Sequence, residues 1–214
     1  MMNVKTVILA RGGSKGIPNK NIIDINGKPL LQYTIESAKK SDANDVWVST
    51  DCPNIMRVAI NSKANVLMRP SNISGDKSKS EEALLHFADT IKFDILVFIQ
   101  PTSPLLSHED INVGIQLMKS GHYDSLFSAY KEHWIPRWNN DITPDNWDIY
   151  SRPMRQDVKD RWVENGAVYF TTKKQLETSK LRYGGRIGVL EMPPNRSFQI
   201  DTFADLEVVK KILR

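Results

Sequence analysis

Val4-Lys5-Thr6-Val7-Ile8-Leu9-Ala10-Arg11-Gly12-Gly13-Ser14-Lys15-Gly16-Ile17-Pro18-Asn19-Lys20-Asn21 joins a short apolar run to a glycine-rich, cationic loop. An apolar run of this length is the pattern of a parallel strand buried on both faces. Sheets of such strands take up ligands at the loops that leave their carboxyl ends. Gly12, Gly13 and Gly16 let the backbone turn its N–H groups inward as an anion-binding nest, and Arg11, Lys15 and Lys20 add charge. A guanidinium grips two phosphate oxygens at once, whereas a lysine acts as a mobile point charge. The loop therefore suits a polyphosphate. It is neither the Walker Gly-x-x-x-x-Gly-Lys-Ser/Thr loop nor the Gly-x-Gly-x-x-Gly dinucleotide fingerprint.

Strand and helix patterns alternate outward from this loop. Asn26-Gly27, after Ile22 to Ile25, signals a tight turn, and Leu30, Leu31, Thr34, Ile35 and Ala38 share one helical face. Val46 to Ser49 and Asn65 to Met68 read as strands, with Pro53 placed to open the helix between them. A polar loop from Arg69 to Ser80 and a helix over Glu81 to Ile91 lead into Ile95 to Ile99, the most apolar run and the expected central strand. Ser107 and Asp110 have the spacing of a capping box for the next helix. Further strands are expected at Ser125 to Tyr130, Ala167 to Phe170 and Ile187 to Met192, with helices near Lys173 to Thr178 and Phe203 to Leu213. The order predicts an α/β fold, a mostly parallel central sheet with helices on both faces.

Between residues 131 and 163 the periodicity disappears while Trp134, Trp138, Trp147 and Trp162 accumulate with Pro136, Pro144 and Pro153. Such a segment is too apolar to hang in water and too irregular for sheet core. It reads as an excursion within a single domain spanning 1–214, and its aromatic content is that of a dimer interface.

A chain of 214 residues suffices for one well-buried α/β domain, and 40% hydrophobic with 25% charged residues is ordinary for a globular enzyme. The net charge of +4 is not gathered into a basic tract, so anionic small substrates account for it without nucleic acid. Cys52, the only cysteine, rules out an intrachain disulfide and fits a reducing cytoplasm. No apolar run has the length of a membrane span. His86, His108, His122 and His133 lack ligand spacing and are read as structural, and Glu81-Glu82 as the acidic first turn of a helix.

The later motifs extend the reading to nearly the whole chain. Ser49-Thr50-Asp51, Arg69-Pro70, Gly75-Asp76, Gln100-Pro101-Thr102-Ser103-Pro104-Leu105, Arg155-Gln156, Glu164-Asn165-Gly166-Ala167, Ile200-Asp201-Thr202 and Asp205-Leu206 follow the loop in order. In these motifs, and in the Arg11 to Asn21 loop almost residue for residue, the chain resembles the CMP-sialic acid synthetases, cytidylyltransferases that activate nine-carbon α-keto acid sugars. The resemblance implies a Rossmann-like nucleotidyltransferase fold that transfers CMP from CTP to the anomeric hydroxyl of a nonulosonic acid. It implies that the triphosphate lies against Arg11, Gly12, Gly13, Ser14, Lys15, Lys20 and Asn21, and the cytosine near Arg69, Ser78 and Ser80. Gln100 and Asn165 would contact the sugar, and Arg152 or Arg155 its carboxylate. It also implies homodimers in which the excursion reaches over the partner.

Mg²⁺ is the expected cofactor, since it takes carboxylate and phosphate oxygens. The family carries an Asp-Ile-Asp pair near its C-terminus where this chain has Gln199-Ile200-Asp201, which leaves Asp201 as the expected metal carboxylate. Asp201 and Asp205 read equally as acidic residues at the N-terminal end of the last helix. Leu181-Arg182-Tyr183-Gly184-Gly185 does not closely match the sialic-type pattern, so legionaminic, pseudaminic or octulosonic acid remains an alternative substrate. The loss at Gln199 also leaves open a non-catalytic nucleotide-binding homologue.

Overall fold

A computed structural model describes residues 2–214. The strands are β1 (Val4–Leu9), β2 (Asp24–Ile25), β3 (Lys28–Pro29), β4 (Asp45–Thr50), β5 (Asn65–Met68), β6 (Ile95–Ile99), β7 (Ser125–Glu132), β8 (Arg137–Trp138), β9 (Pro144–Asp145), β10 (Arg161–Thr172) and β11 (Ile187–Glu191). The helices are α1 (Leu30–Lys40), α2 (Pro53–Asn61), α3 (Ser80–Thr90), α4 (His108–Lys119), α5 (Lys173–Ser179) and α6 (Phe203–Ile212). Seven strands form one sheet in the order β11-β7-β10-β6-β1-β4-β5. Only β10 runs antiparallel to its neighbours.

Period-2 alternation divides each central strand between two cores. Val4 and Ile8 of β1, Val46 and Val48 of β4, and Ile95, Val97 and Ile99 of β6 face α1, α2 and α4. Val7, Leu96, Phe98 and Tyr169 point the other way, toward Leu84 and Phe87 of α3 and Leu176 of α5. Every residue of β6 is buried, as its continuous apolar run predicts for the middle strand. In a third cluster Leu206 and Val209 of α6 pack on Ile25, Leu30, Ile200 and the loop residue Ile17. The C-terminal helix thereby anchors the glycine-rich loop. The β2–β3 turn has φ 53° at Asn26 and 84° at Gly27, both in the left-handed region that a two-residue hairpin turn requires.

The segment expected to be irregular from 131 to 163 is a built flap. β7 runs on to Glu132 and β10 starts at Arg161, six residues before the expected Ala167, with Glu132 opposite Arg161. Beyond this pair β8 and β9 form a two-stranded ribbon. Trp147 stands edge-on to Trp134 and Trp138, at centroid distances of 6.3 and 5.1 Å, and donates its indole N–H to the Arg137 carbonyl. Single-strand periodicity misses this ribbon because its two strands are two residues each and carry Pro144.

Candidate active site

The sheet order reverses at β1. β4 and β5 are laid on one side, and the chain then returns to place β6 on the other. The loops leaving the carboxyl ends of β1 and β6 therefore diverge and leave a crevice between them. A cleft of about 240 Å³ fills it, walled by Arg11, Ser14, Lys20, Asn21, Arg69, Ser78, Lys79, Ser80 and Gln100, with Leu9, Phe98, Pro101 and Thr102 completing the lining. Residues from widely separated parts of the sequence thus meet in one place, as the motif order implied.

The glycine-rich loop is held in shape by its own backbone and neighbours. Gly13 takes φ +69°, which a side chain would strain. Gly16 lies so close to the Asp201 carbonyl that a Cβ there would stand 3.0 Å from it. The Gly12 N–H donates to Asp51 Oδ1 at 2.8 Å, which ties the loop to the end of β4. Asn21 lines the cleft, yet its side-chain amide donates to the Arg11 carbonyl at 2.9 Å and closes the loop on itself. Arg11 and Lys20 reach the cleft; Lys15 lies outside its wall, 77% exposed, against Asp76.

Arg69 is the one buried arginine of the cleft wall. Its Nε donates to Ser49 Oγ at 3.1 Å and an Nη donates to the Ser49 carbonyl at 2.7 Å. Burial pushes the guanidinium's pKa down; Asp51 opposes this and Arg11 adds to it. Among the described residues no carboxylate lies within 4 Å of it, so its remaining donors are available to a polar ligand in the cleft. Ser78, Lys79 and Ser80 approach from the start of α3, whose first turn is capped by Glu82 accepting from the Lys79 N–H at 2.8 Å. Lys79 and Phe98 are cleft residues that no motif singled out. Lys79 stands between Ser78 and Ser80, and Phe98 lies near the end of the central strand that leads into Gln100; these positions were the only available signal.

At the C-terminal end the two aspartates take different positions. Thr202 is the N-cap of α6, and Asp205 completes its capping box by accepting from the Thr202 N–H at 2.8 Å and the Asp201 N–H at 3.1 Å. These hydrogen bonds from Thr202, and then Asp201, hold the Asp205 carboxyl below its usual range. Asp201 is not the cap. Its carboxylate stands 65% exposed and accepts from Lys20 Nζ at 2.9 Å. Gln199 lies over Gly166, where its amide nitrogen would be 2.1 Å from a Cβ.

Three expected sugar-binding residues lie elsewhere. Asn165 is buried and fully engaged: its Oδ1 accepts from Ser128 Oγ at 2.6 Å and from the Ala167 N–H, while Nδ2 donates to Ser197 Oγ at 2.9 Å. It shapes the β10 bulge rather than facing the cleft. Arg152 sits on the flap, 5.6 Å from the ring centroids of both Trp134 and Trp147. Arg155 lines a separate hollow with His133 and Asp160. Of the proposed sugar contacts, Gln100 alone lines this chain's cleft. The four histidines are absent from the cleft wall, with His133 beside Asp160 and His108 beside Glu109.

Comparison with known proteins agrees with this geometry. A family model described as cytidylyltransferase matches residues 6–207. N-acylneuraminate cytidylyltransferase B of Danio rerio is 40% identical over 97% of this chain, which spans about half (51%) of that relative's length. Pseudaminic acid cytidylyltransferase of Campylobacter jejuni is 31% identical, with 95% of this chain and 93% of the relative covered. In fold the chain is similar to a CMP:2-keto-3-deoxy-manno-octonic acid synthetase solved with CTP, at TM-score 0.73 and 20% identity, with 98% of each chain covered. The sheet order, the cleft at its reversal and the match along almost the full sequence lead to one assignment: the chain belongs to the cytidylyltransferase family, to which the CMP-sialic acid synthetases belong.

Proposed function

We propose that this chain transfers CMP from CTP to the anomeric hydroxyl of an acidic α-keto sugar of the nonulosonic type. The anomeric hydroxyl oxygen attacks the α-phosphorus and releases its proton to solvent, the bond to the bridging β-phosphate oxygen breaks, and pyrophosphate leaves. The observation that carries the reading is the convergence of Arg11, Lys20 and Arg69 with Gln100 on one cleft at the reversal of the sheet order. Positioning and electrostatic stabilisation do most of the work in such a transfer. Arg11 and Lys20 face the phosphates and stabilise the charge that collects on the leaving pyrophosphate. Arg69 and Ser80 orient the base, and Gln100 orients the sugar.

The donor set fits a divalent ion that arrives with the triphosphate. Among the described residues no group of three acidic, histidine or cysteine side chains is placed to hold a metal by itself. Asp201, exposed and beside Lys20, is the carboxylate that would hold it, and Gln199 would offer at most a neutral oxygen. Mg²⁺ bound there would neutralise phosphate charge.

The acceptor is a nonulosonic acid; relatives named for N-acylneuraminate and pseudaminic acid support that class. The working unit is a homodimer in the cytoplasm. Supporting the dimer, the flap exposes Ile142, Ile149, Tyr150 and Met154, an apolar surface of the kind that marks interfaces, and in a dimer Arg152 or Arg155 would serve the partner's sugar. Among the described residues no helix is long and apolar enough to cross a membrane. The test is pyrophosphate release from CTP with a panel of N-acylneuraminic, legionaminic, pseudaminic and octulosonic acids. Release with one of the nonulosonic acids is expected; none with any acid overturns the reading.

A further inference from the structure

Asp76 spends both carboxylate oxygens on the glycine-rich loop. Arg11 donates to its Oδ1 at 2.8 Å and Lys15 to its Oδ2 at 2.7 Å. With Lys20 on Asp201, every cation of that loop is matched to an aspartate. Two linked phosphates would seek the same pair of donors, because an arginine and a lysine facing one anion can accept either a carboxylate or a phosphate. Asp76 is therefore an anion of the chain itself, seated where the resemblance and the charge both put phosphate.

The pairing is built to exchange. The side chains of Arg11, Lys15 and Asp76 are 33%, 77% and 43% exposed, so neither the pair nor an incoming phosphate has to be taken out of water to swap partners. Exposed ion pairs are individually weak. Hydrogen bonds from Lys15 and Arg11 keep the Asp76 carboxyl below its usual pKa, so it is ionised throughout the neutral range. Asp76 also lies on the loop that brings Ser78, Lys79 and Ser80 to the cleft, so its pairs with Arg11 and Lys15 tie that loop to the glycine-rich one.

We propose that Asp76 is a specificity-determining residue that holds Arg11 and Lys15 and yields them only to a ligand carrying two or more linked phosphates. The inference rests on the phosphate-loop reading given above. CTP and pyrophosphate bring enough charge to displace one carboxylate. CMP, or a CMP-sugar with its single phosphodiester, does not span that pair. When pyrophosphate departs, Asp76 takes back both cations.

Calorimetric titration of inorganic pyrophosphate, CTP and CMP, each with Mg²⁺, against wild type, Asp76→Asn and Asp76→Glu tests this, with thermal unfolding as the check on folding. Asp76→Asn should bind pyrophosphate and CTP about threefold to tenfold more tightly, as expected on freeing two exposed pairs, and CMP unchanged. Asp76→Glu, which keeps the charge, should stay within about twofold of wild type. Should Asp76→Asn misfold, Asp76→Ser gives the same comparison. Pyrophosphate binding that is unchanged or weakened in the neutral variant overturns the proposal. Weakening that extra Mg²⁺ restores also overturns it, and makes Asp76 a metal ligand instead. Failure of wild type to bind CTP while it binds pyrophosphate overturns the cytidylyl reading, not the exchange.

Discussion

Lys20 is reached by two routes, since the sequence marks it as a phosphate cation and the fold sets its ammonium between the cleft and Asp201. Lys20→Ala and Arg11→Ala should each lower kcat/KM by a factor of about 10² to 10³, the scale of losing one electrostatic donor at a transition state, with the unfolding midpoint little moved. Steady-state pyrophosphate release beside thermal unfolding checks both. Asp201→Asn separates charge from shape: Thr202 caps α6, so the amide should leave stability intact while the Mg²⁺ needed for half-maximal rate rises severalfold. An unchanged Mg²⁺ titration would remove the metal role. That Arg11 and Lys20 would line a cleft was legible because an anion-binding loop after a strand calls for glycine, lysine or arginine. The task of Asn165 was not, because a buried amide that braces a strand bulge and one that binds sugar look alike in one dimension.

At the scale of elements, Gly114 in the middle of α4 is where a local rule yields to packing. A Cβ there would stand 2.1 Å from the Phe170 ring of β10. Alanine favours an exposed helix interior by about 0.5 to 1 kcal/mol over glycine, yet Gly114→Ala should destabilise by about 1 to 3 kcal/mol, because forcing the ring aside overpacks the core. Urea denaturation gives the sign directly. The flap makes a separate prediction. Tyr150 is 96% exposed beside Ile149, so Tyr150→Asp should shift light-scattering mass from dimer toward monomer without loss of helix by circular dichroism. A monomeric wild type at assay concentration would sink the dimer itself. Strands of five or six residues with continuous apolar runs were readable from pattern alone. The first half of β10 was not, since Arg161 to Gly166 shows no apolar alternation and bends through a bulge at Gly166, φ +66°.

For the whole molecule, the acid limit of stability follows from carboxylates that the fold holds ionised. Hydrogen bonds from the Arg186 side chain and backbone pull Asp124 down to about 2 from 3.8, joining the start of β7 to the chain entering β11. A folded-state value below the unfolded one means that this contribution is present at neutral pH and down to about pH 4. It is then lost as the pH falls toward 2. Asp76 and Asp205 shift in the same direction. Melting temperature should therefore hold near neutrality and fall below about pH 4, and Asp124→Asn should flatten that fall. The overall architecture was readable because alternating strand and helix leaves few topologies to choose among. The side on which β6 docks was not, because nothing in its uniformly apolar residues distinguishes one flank of β1 from the other. That docking side decides where the cleft opens. The flap has an optical consequence as well. Of five tryptophans, Trp134, Trp138 and Trp147 lie on it and Trp162 at its root, where β10 pairs with β7, so that Trp47 is the one remote from the flap. Intrinsic emission from this protein is therefore chiefly a report on one appendage: its wavelength will follow whatever covers or uncovers the flap, with Trp47, edge-on to Phe87, the single reporter on the core.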